Sequence, residues 1–443
     1  MKRLSLFLYN LLFVPLLLIL LPGYLLRIWR RGGYWNQIAQ RFCIFERETL
    51  NRIGMGRIWI HAVSVGEVGI ALKFAKSYHL IHPRSRFLVS TTTSTGLKIL
   101  QGHASLWLEP IANPVDFPIL SSKLVRRIRP SALLMVEGDL WPNRLAVCTK
   151  LGIPTALLNA RLSKRSENRF RLARFLTSPL FNELKLITIT EHEDIERWKS
   201  LGVKSSLLHW TGNIKYDQAP ESESSATSQS PPMSSGPVIL PEALGWRAGD
   251  SIMLAASTHR GEELELARAF LELRQIMPEL RLVIAPRHVE RRREILEELR
   301  ENGITCSLRS QNITSNSDVL LLDTTGELSA WYGLSTVVFV GKSLPCSVNH
   351  GGQNMIEPLQ ARRVVITGPN TGNFEPIASR LYKAGALLRV TDASSIAAQV
   401  GPLLLDADLR NEMIRAADVI LQPNQGATAR NCKLVEERIE SFT

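Results

Sequence analysis

The sequence predicts an α/β protein built from two doubly wound parallel sheets behind an apolar N-terminal anchor. Three observations carry that expectation. Short apolar runs alternate with helix-spaced segments along most of the chain, the pattern of parallel strands joined by crossover helices. A stretch rich in Ser, Pro and Glu, from Gln218 to Pro237, interrupts the alternation and marks a linker. Finally, 443 residues exceed what one ordinary core holds, so two cores are expected. The predicted division is an anchor over 1–30, a first domain over 31–217, a linker over 218–237 and a second domain over 238–443.

The anchor comes first. Leu4 to Leu26 is a 23-residue run without a charged side chain, bracketed by Lys2 and Arg3 and by Arg27, Arg30 and Arg31, long enough to cross a bilayer. Pro15 and Pro22 leave a bent, half-inserted anchor open as well. The run is too long for a cleaved signal, and no small-residue cleavage site precedes the arginines. Trp29, Tyr34 and Trp35 follow, where aromatic rings favour the headgroup level. Residues 1–217 hold 31 Lys+Arg against 14 Asp+Glu, a net +17, while residues 218–443 hold 22 against 27, a net −5. The basic half calls for an anionic partner, and the apolar run beside it selects an anionic membrane surface over nucleic acid. Five scattered cysteines have neither disulfide-framework nor metal-ligand spacing, which points to a reducing compartment.

In the first half, Ile58–Ala62 reads as a buried strand running into the helix that carries Ile70, Phe74 and Tyr78. Ser64 and Glu67 at the junction fit a capping box, and Glu67 equally fits a base at the carboxyl end of a strand, where open α/β sheets bind ligands. A base facing a cleft need not serve the box, and the positive helix end would keep it ionised. Arg86–Ser90 is the next strand. Ala132–Val136 follows and ends in Glu137 and Asp139 ahead of a Pro142-led helix, so these acids either cap that helix or serve a site. Thr155–Arg161 is a strand leading into Ser163, Lys164 and Arg165 and a helix bearing Arg169, Arg171 and Arg174, which reads as a solvated basic face or as a contact for phosphate or headgroups. Leu184–Thr190 and Leu207–Asn213 complete this half.

The second half repeats the scheme with strands at Ser251–Ala256, Arg281–Ala285, Val319–Leu322, Thr336–Val340 and Arg363–Thr367. Arg287 follows one strand end just ahead of a helix, where its guanidinium and the first amides would share a phosphate, unless it is a plain surface arginine. Gly351 and Gly352 open a helix whose backbone would approach an anion closely, with Glu357 one turn in to accept ribose hydroxyls. The single Asp-x-Asp, Asp406 to Asp408, lies in a helical stretch and reads as a cap or surface pair, so no metal is expected. Two facing sheets of this kind are the outline of a GT-B glycosyltransferase, in which one domain supplies a base and the other a cradle for the leaving phosphate.

Seven motifs then carry a resemblance: His61–Glu67, Glu137–Asn143, Asn159–Ser163, Gly212–Asp217, Ala256–Glu263, Pro286–His288 and Gly351–Asn354 with Glu357 and Pro358. Together, in this order and across both domains, they resemble the lipid A Kdo transferases, which move 3-deoxy-D-manno-octulosonic acid (Kdo) from CMP-Kdo to a lipid A precursor. The resemblance implies a metal-independent, cofactor-free, inverting GT-B enzyme at the cytoplasmic face of the inner membrane. It implies Glu67 as the base and Glu137 as a second site acid. It also implies Arg287 at the CMP phosphate and Glu357 at the ribose, in a nucleotide-sugar set with His288, Gly352, Asn354 and Ser257. Arg161, Ser64, Lys164 and Arg165 form the expected acceptor and phosphate set. Three positions depart from the family pattern: Asp139 shortens the second acid of Glu-Thr-Glu, Gln353 replaces the histidine of Gly-Gly-His-Asn, and Lys342 replaces the second glycine of Gly-Gly-Ser. Two other functions fit the residues: a GT-B enzyme using a UDP-sugar and a lipid acceptor, and a non-catalytic membrane-anchored binding protein of the same fold.

Overall fold

A computed structural model describes residues 4–13, 15, 19, 23, 35–138, 140–217, 241–247, 249–311 and 317–439. The expected linker and Asp139 lie outside these residues, as does most of the expected anchor. Among the described residues no helix is long and apolar enough to cross a membrane.

The chain forms two compact units, Met1–Pro220 with Asn424–Thr443, and Glu221–Pro423. The first holds seven parallel strands: β1 (Ile58–Ala62), β2 (Phe87–Thr91), β3 (Leu108–Ala112), β4 (Ala132–Val136), β5 (Thr155–Ala160), β6 (Leu186–Ile189) and β7 (Leu208–Trp210). Their order is β3-β2-β1-β4-β5-β6-β7. Strand pleating sends alternate residues of β1 to opposite faces, so Ile58, Ile60 and Ala62 join one core and Trp59 the other. Helix α1 (Val65–Ile81) lays Val68, Ala71, Phe74, Ala75 and Tyr78 on the first of these. Helix α2 (Pro142–Lys150) follows β4, and α3 (Lys164–Leu172) and α4 (Arg174–Phe181) follow β5. Strand β3 escapes the sequence pattern because Glu109 and Pro110 interrupt its apolar run, which an edge position tolerates.

The second unit repeats the plan with β8 (Ile252–Thr258), β9 (Arg281–Pro286), β10 (Ser307–Leu308), β11 (Val319–Leu321), β12 (Val337–Val340), β13 (Val364–Thr367) and β14 (Leu387–Arg389), in the order β10-β11-β9-β8-β12-β13-β14. Helix α5 (Glu262–Arg274) follows β8, α6 (Arg292–Glu301) follows β9, and the five-residue α7 (Ile356–Gln360) precedes β13.

The second domain does not run to the C-terminus as expected. Helix α8 (Ala427–Arg438) belongs to the first unit, where Ala427, Cys432 and Val435 complete the core shared with α1. Buried polar contacts fix it there. Asp217 accepts the Gly426 and Thr428 amides at 2.8 and 2.6 Å, and Thr188 Oγ1 donates to Asn431 Oδ1 at 2.6 Å. A composition change marks where a chain leaves a domain, whereas a later return is written only in these tertiary partners.

Candidate functional site

In each unit the strand order reverses between two neighbours, β1 and β4 in the first and β8 and β12 in the second. Such switch points open a crevice at the carboxyl ends of the strands. Glu67 and Glu137 follow β1 and β4, Ser257 lies at the end of β8 and Lys342 follows β12, while Arg161 and Arg287 follow the adjoining strands β5 and β9.

In the first unit, Ser64 caps α1, its Oγ accepting from Glu67 N at 3.3 Å. Glu67 replies through both oxygens: Oε2 accepts from Val63 N at 2.7 Å, and Oε1 from Ser64 N at 3.3 Å and Ser64 Oγ at 2.9 Å. The box therefore forms in full, so the capping alternative for Ser64 and Glu67 is realised. The first turn of a helix leaves amides without intrahelical acceptors, and Glu67 is the acid within reach of them. At 8% exposure its carboxylate is held at the end of β1.

Glu137 sits at the matching end of β4, in the left-handed region with φ 64°. Its N–H donates to Leu158 O at 2.9 Å and its carbonyl accepts from Arg161 N at 3.1 Å, stitching the turns after β4 and β5 together. The N-cap residue of α2, Trp141, makes no side-chain cap. Asp116 supplies one instead, accepting Asn143 N and Arg144 N at 2.9 Å each. Arg161, Lys164 and Arg165 are all exposed, and α3 buries no residue. Below the turns, His61 is buried with Nδ1 2.9 Å from Ser90 Oγ and its ring edge-on to Trp141. Burial, and then Arg144, push its pKa well below the usual imidazole range.

Sequence reasoning missed two groups here. Lys215 brings its Nζ to 3.6 Å from where a side chain at Gly66 would begin, against the first turn of α1. Asn159, buried and at φ 55°, donates to Asn213 Oδ1 at 3.1 Å and accepts Ile214 N at 2.8 Å, which positions the turn that carries Lys215. The signal for both is their place in the motifs Asn159–Ser163 and Gly212–Asp217.

In the second unit, Ser257 (φ 55°) and Lys342 (φ 62°) face the switch point in left-handed conformations. The two strands approach so closely that a Cβ at Gly341 would lie 2.5 Å from Ser257 O. Glu262, fully buried, holds this arrangement. Its Oε2 accepts His259 N at 2.8 Å and Lys342 N at 2.7 Å, and its Oε1 accepts Ser343 N at 2.8 Å and Leu344 N at 3.0 Å. Glu262 lies in the motif Ala256–Glu263, but a helix's first-turn glutamate is commonplace and no spacing in the sequence announces its partners at Lys342 to Leu344.

Arg287 is exposed beyond β9, its N–H donating to Thr258 O at 3.0 Å, and His288 beside it is exposed as well. A 3-10 turn over Val289–Arg291 runs into α6 at Arg292, so the first helical amides lie two residues past Arg287. The glycine cradle is corrected. Gly352 N donates to Lys342 O at 2.9 Å and Gln353 N to Gly341 O at 3.0 Å, because these amides brace the turn after β12 and the helix starts four residues later. Asn354 donates to Glu357 Oε1 at 2.7 Å, so Glu357 is exposed but oriented. Gln353 places its Nε2 3.0 Å from His259 Nε2, a contact that requires an unprotonated ring nitrogen. Burial, and then Lys342, His288, Arg291 and Arg287, lower the His259 pKa to about 4. Neither Lys342 nor Arg287 makes an ion pair among the described residues, leaving a concentrated positive field where the strands end. Among those residues no cluster of metal-ligating side chains occurs.

Residues 36–218 match the family described as 3-deoxy-D-manno-octulosonic-acid transferase (kdotransferase). A 3-deoxy-D-manno-octulosonic acid transferase of Haemophilus influenzae is 31% identical, over 86% of this chain and 87% of that one. The enzyme of the same name from Bordetella pertussis is 30% identical, over 94% and 96%. Among solved structures, a glycosyltransferase from Rickettsia africae is similar in fold, with a TM-score of 0.52 at 11% identity over 87% of this chain and 99% of that chain. The two parallel-sheet α/β units thus resemble GT-B glycosyltransferases.

Proposed function

The chain belongs to the 3-deoxy-D-manno-octulosonic acid transferase family, and from that premise we propose that it transfers Kdo from CMP-Kdo to a lipid A precursor at the cytoplasmic face of the inner membrane. The observation that supports this reading most directly is the division of chemistry between the two strand-order switch points. One carries the carboxylates Glu67 and Glu137 with Lys215 and Arg161 nearby; the other carries Arg287, Lys342 and the neutral His259.

The acceptor hydroxyl gives its proton to Glu67 as its oxygen bonds to the anomeric carbon of Kdo. The bond from that carbon to the CMP phosphate breaks, and the electron pair leaves with CMP, inverting the centre. Arg287 and Lys342 stabilise the leaving phosphate, which carries more charge in the transition state than in the donor. Glu357, held by Asn354, accepts from the ribose hydroxyls. The capping box gives Glu67 a fixed address for this step, since three donors hold its carboxylate at the end of β1. The membrane assignment draws on the basic first half and the uncharged run from Leu4 to Leu26.

The test is an assay with CMP-Kdo and a tetraacyl lipid A precursor, reading product mass. A product heavier by whole Kdo units is expected. No gain with CMP-Kdo, or sugar transfer from a UDP-sugar in its place, would overturn the assignment.

A further inference from the structure

Within the uncharged run, hydrogen-bonding side chains are scarce; Ser5 and Tyr9 fall one helical turn apart, with Asn10 next to Tyr9. Residues 4–13 are helical. Tyr9 and Asn10 lie against the first unit. Asn10 and Asn143 exchange side-chain amide hydrogen bonds, Asn10 Nδ2 to Asn143 Oδ1 at 2.9 Å and Asn143 Nδ2 to Asn10 Oδ1 at 2.8 Å. Tyr9 lies beside Asp116, which is fully buried and takes Ser121 Oγ and the amides of Asn143 and Arg144. Leu4, Phe7, Leu11 and Leu12 are each more than half exposed.

We propose that residues 4–13 form a helix clamped to the first unit through Tyr9 and Asn10 while Leu4, Phe7, Leu11 and Leu12 enter the acyl layer of an anionic bilayer. Lipid is the occupant because the run is uncharged and flanked on both sides by arginine or lysine, which seat at phosphate headgroups. An amide side chain facing acyl chains must find a partner within the protein, and Asn143 is that partner. Asn143 opens α2 directly after the turn that bears Glu137. The clamp therefore registers the catalytic turn against the membrane surface, where a free tether would not.

The consequence concerns an acceptor embedded in a bilayer, so it rests on the transfer activity proposed above. Full-length Asn10→Leu is compared with the parent protein on the tetraacyl acceptor, once in phosphatidylglycerol-containing vesicles and once in detergent micelles. Losing the amide pair is expected to slow transfer in vesicles about fivefold or more while leaving the micellar rate within about twofold. Equal effects in the two media, including loss in both, would make Asn10 a fold residue and overturn the clamp. A parent protein silent in both media would refute the proposed reaction instead. The clamp is then decided by Asn10→Cys with Asn143→Cys in native membranes, where a disulfide between the two positions, read by peptide mass, is expected and its absence overturns the contact.

Discussion

Glu262→Gln is the most demanding test of how the second unit is held together. The native carboxylate accepts four backbone amides, two on each oxygen, with no exposure to water. A glutamine keeps one acceptor oxygen and turns an NH2 toward the other two amides, whichever way it is flipped. Two buried N–H groups lose their partner and meet a donor, at a cost of about 1–3 kcal/mol each, so the substitution costs about 2–6 kcal/mol. Glu265→Gln is the internal control, because Glu265 accepts a single backbone amide, from Ala393 at 3.0 Å, and stands partly in water. Its cost should be about 1 kcal/mol. Denaturant unfolding of the full chain, followed by calorimetry, measures both. Glu262 also fixes the turn that contains Lys342, so CMP affinity measured by titration should fall with stability in Glu262→Gln and stay unchanged in Glu265→Gln. Equal costs for the two variants would refute the claim that one carboxylate anchors both turns.

Glu67→Gln separates the two duties of that residue. Glutamine keeps one oxygen for the capping box and loses the other's amide, so stability by thermal unfolding should fall by about 1–3 kcal/mol, with the fold kept, while Kdo transfer collapses; retained transfer would remove Glu67 as base. His259 should titrate near 4 by imidazole proton NMR. Its folded pKa lies below its unfolded one, so the unfolded chain binds the extra proton between about pH 6.5 and 4. Its contribution to stability is accordingly whole above that window and lost as pH falls through it. Bound CMP should raise the midpoint by offsetting Lys342 and Arg287. Gly341→Ala would drive a Cβ to 2.5 Å from the Ser257 carbonyl, and because that neighbour is backbone it should weaken CMP binding by about tenfold or more in calorimetric titration.

What was legible in the sequence follows from where information is local. Strands such as Ala132–Val136 and Val337–Val340 are buried on both faces and read as unbroken apolar runs, so their positions could be read directly. Strand β3, with Glu109 and Pro110, and the three-residue β14 carry no such run. The site shows the same limit. The identities of Glu67, Glu137 and Arg287 are visible as polar residues at the ends of apolar runs, and Glu67 finds its amides within its own turn, but what the Glu137 and Arg287 backbones meet is decided by parts of the chain far away. Asp116 caps α2 from 27 residues upstream, and Glu262 gathers amides 80 residues downstream, distances over which no spacing rule operates.

Glu67 shows how this bears on function. The four residues from Ser64 to Glu67 satisfy the capping pattern and the base pattern equally, and the structure shows the cap complete. A complete cap does not exclude a base, because position and function answer to different constraints. The cap explains why a glutamate is stable three residues into α1, and it would do so at any helix start in the molecule. Only the sheet order distinguishes this helix start from the others. It follows β1, whose neighbour β4 runs on to Glu137, at the place where the order of strands reverses. This glutamate stands where the strand order reverses, and Glu67→Gln decides whether the carboxylate that caps the helix there also takes a proton from a substrate.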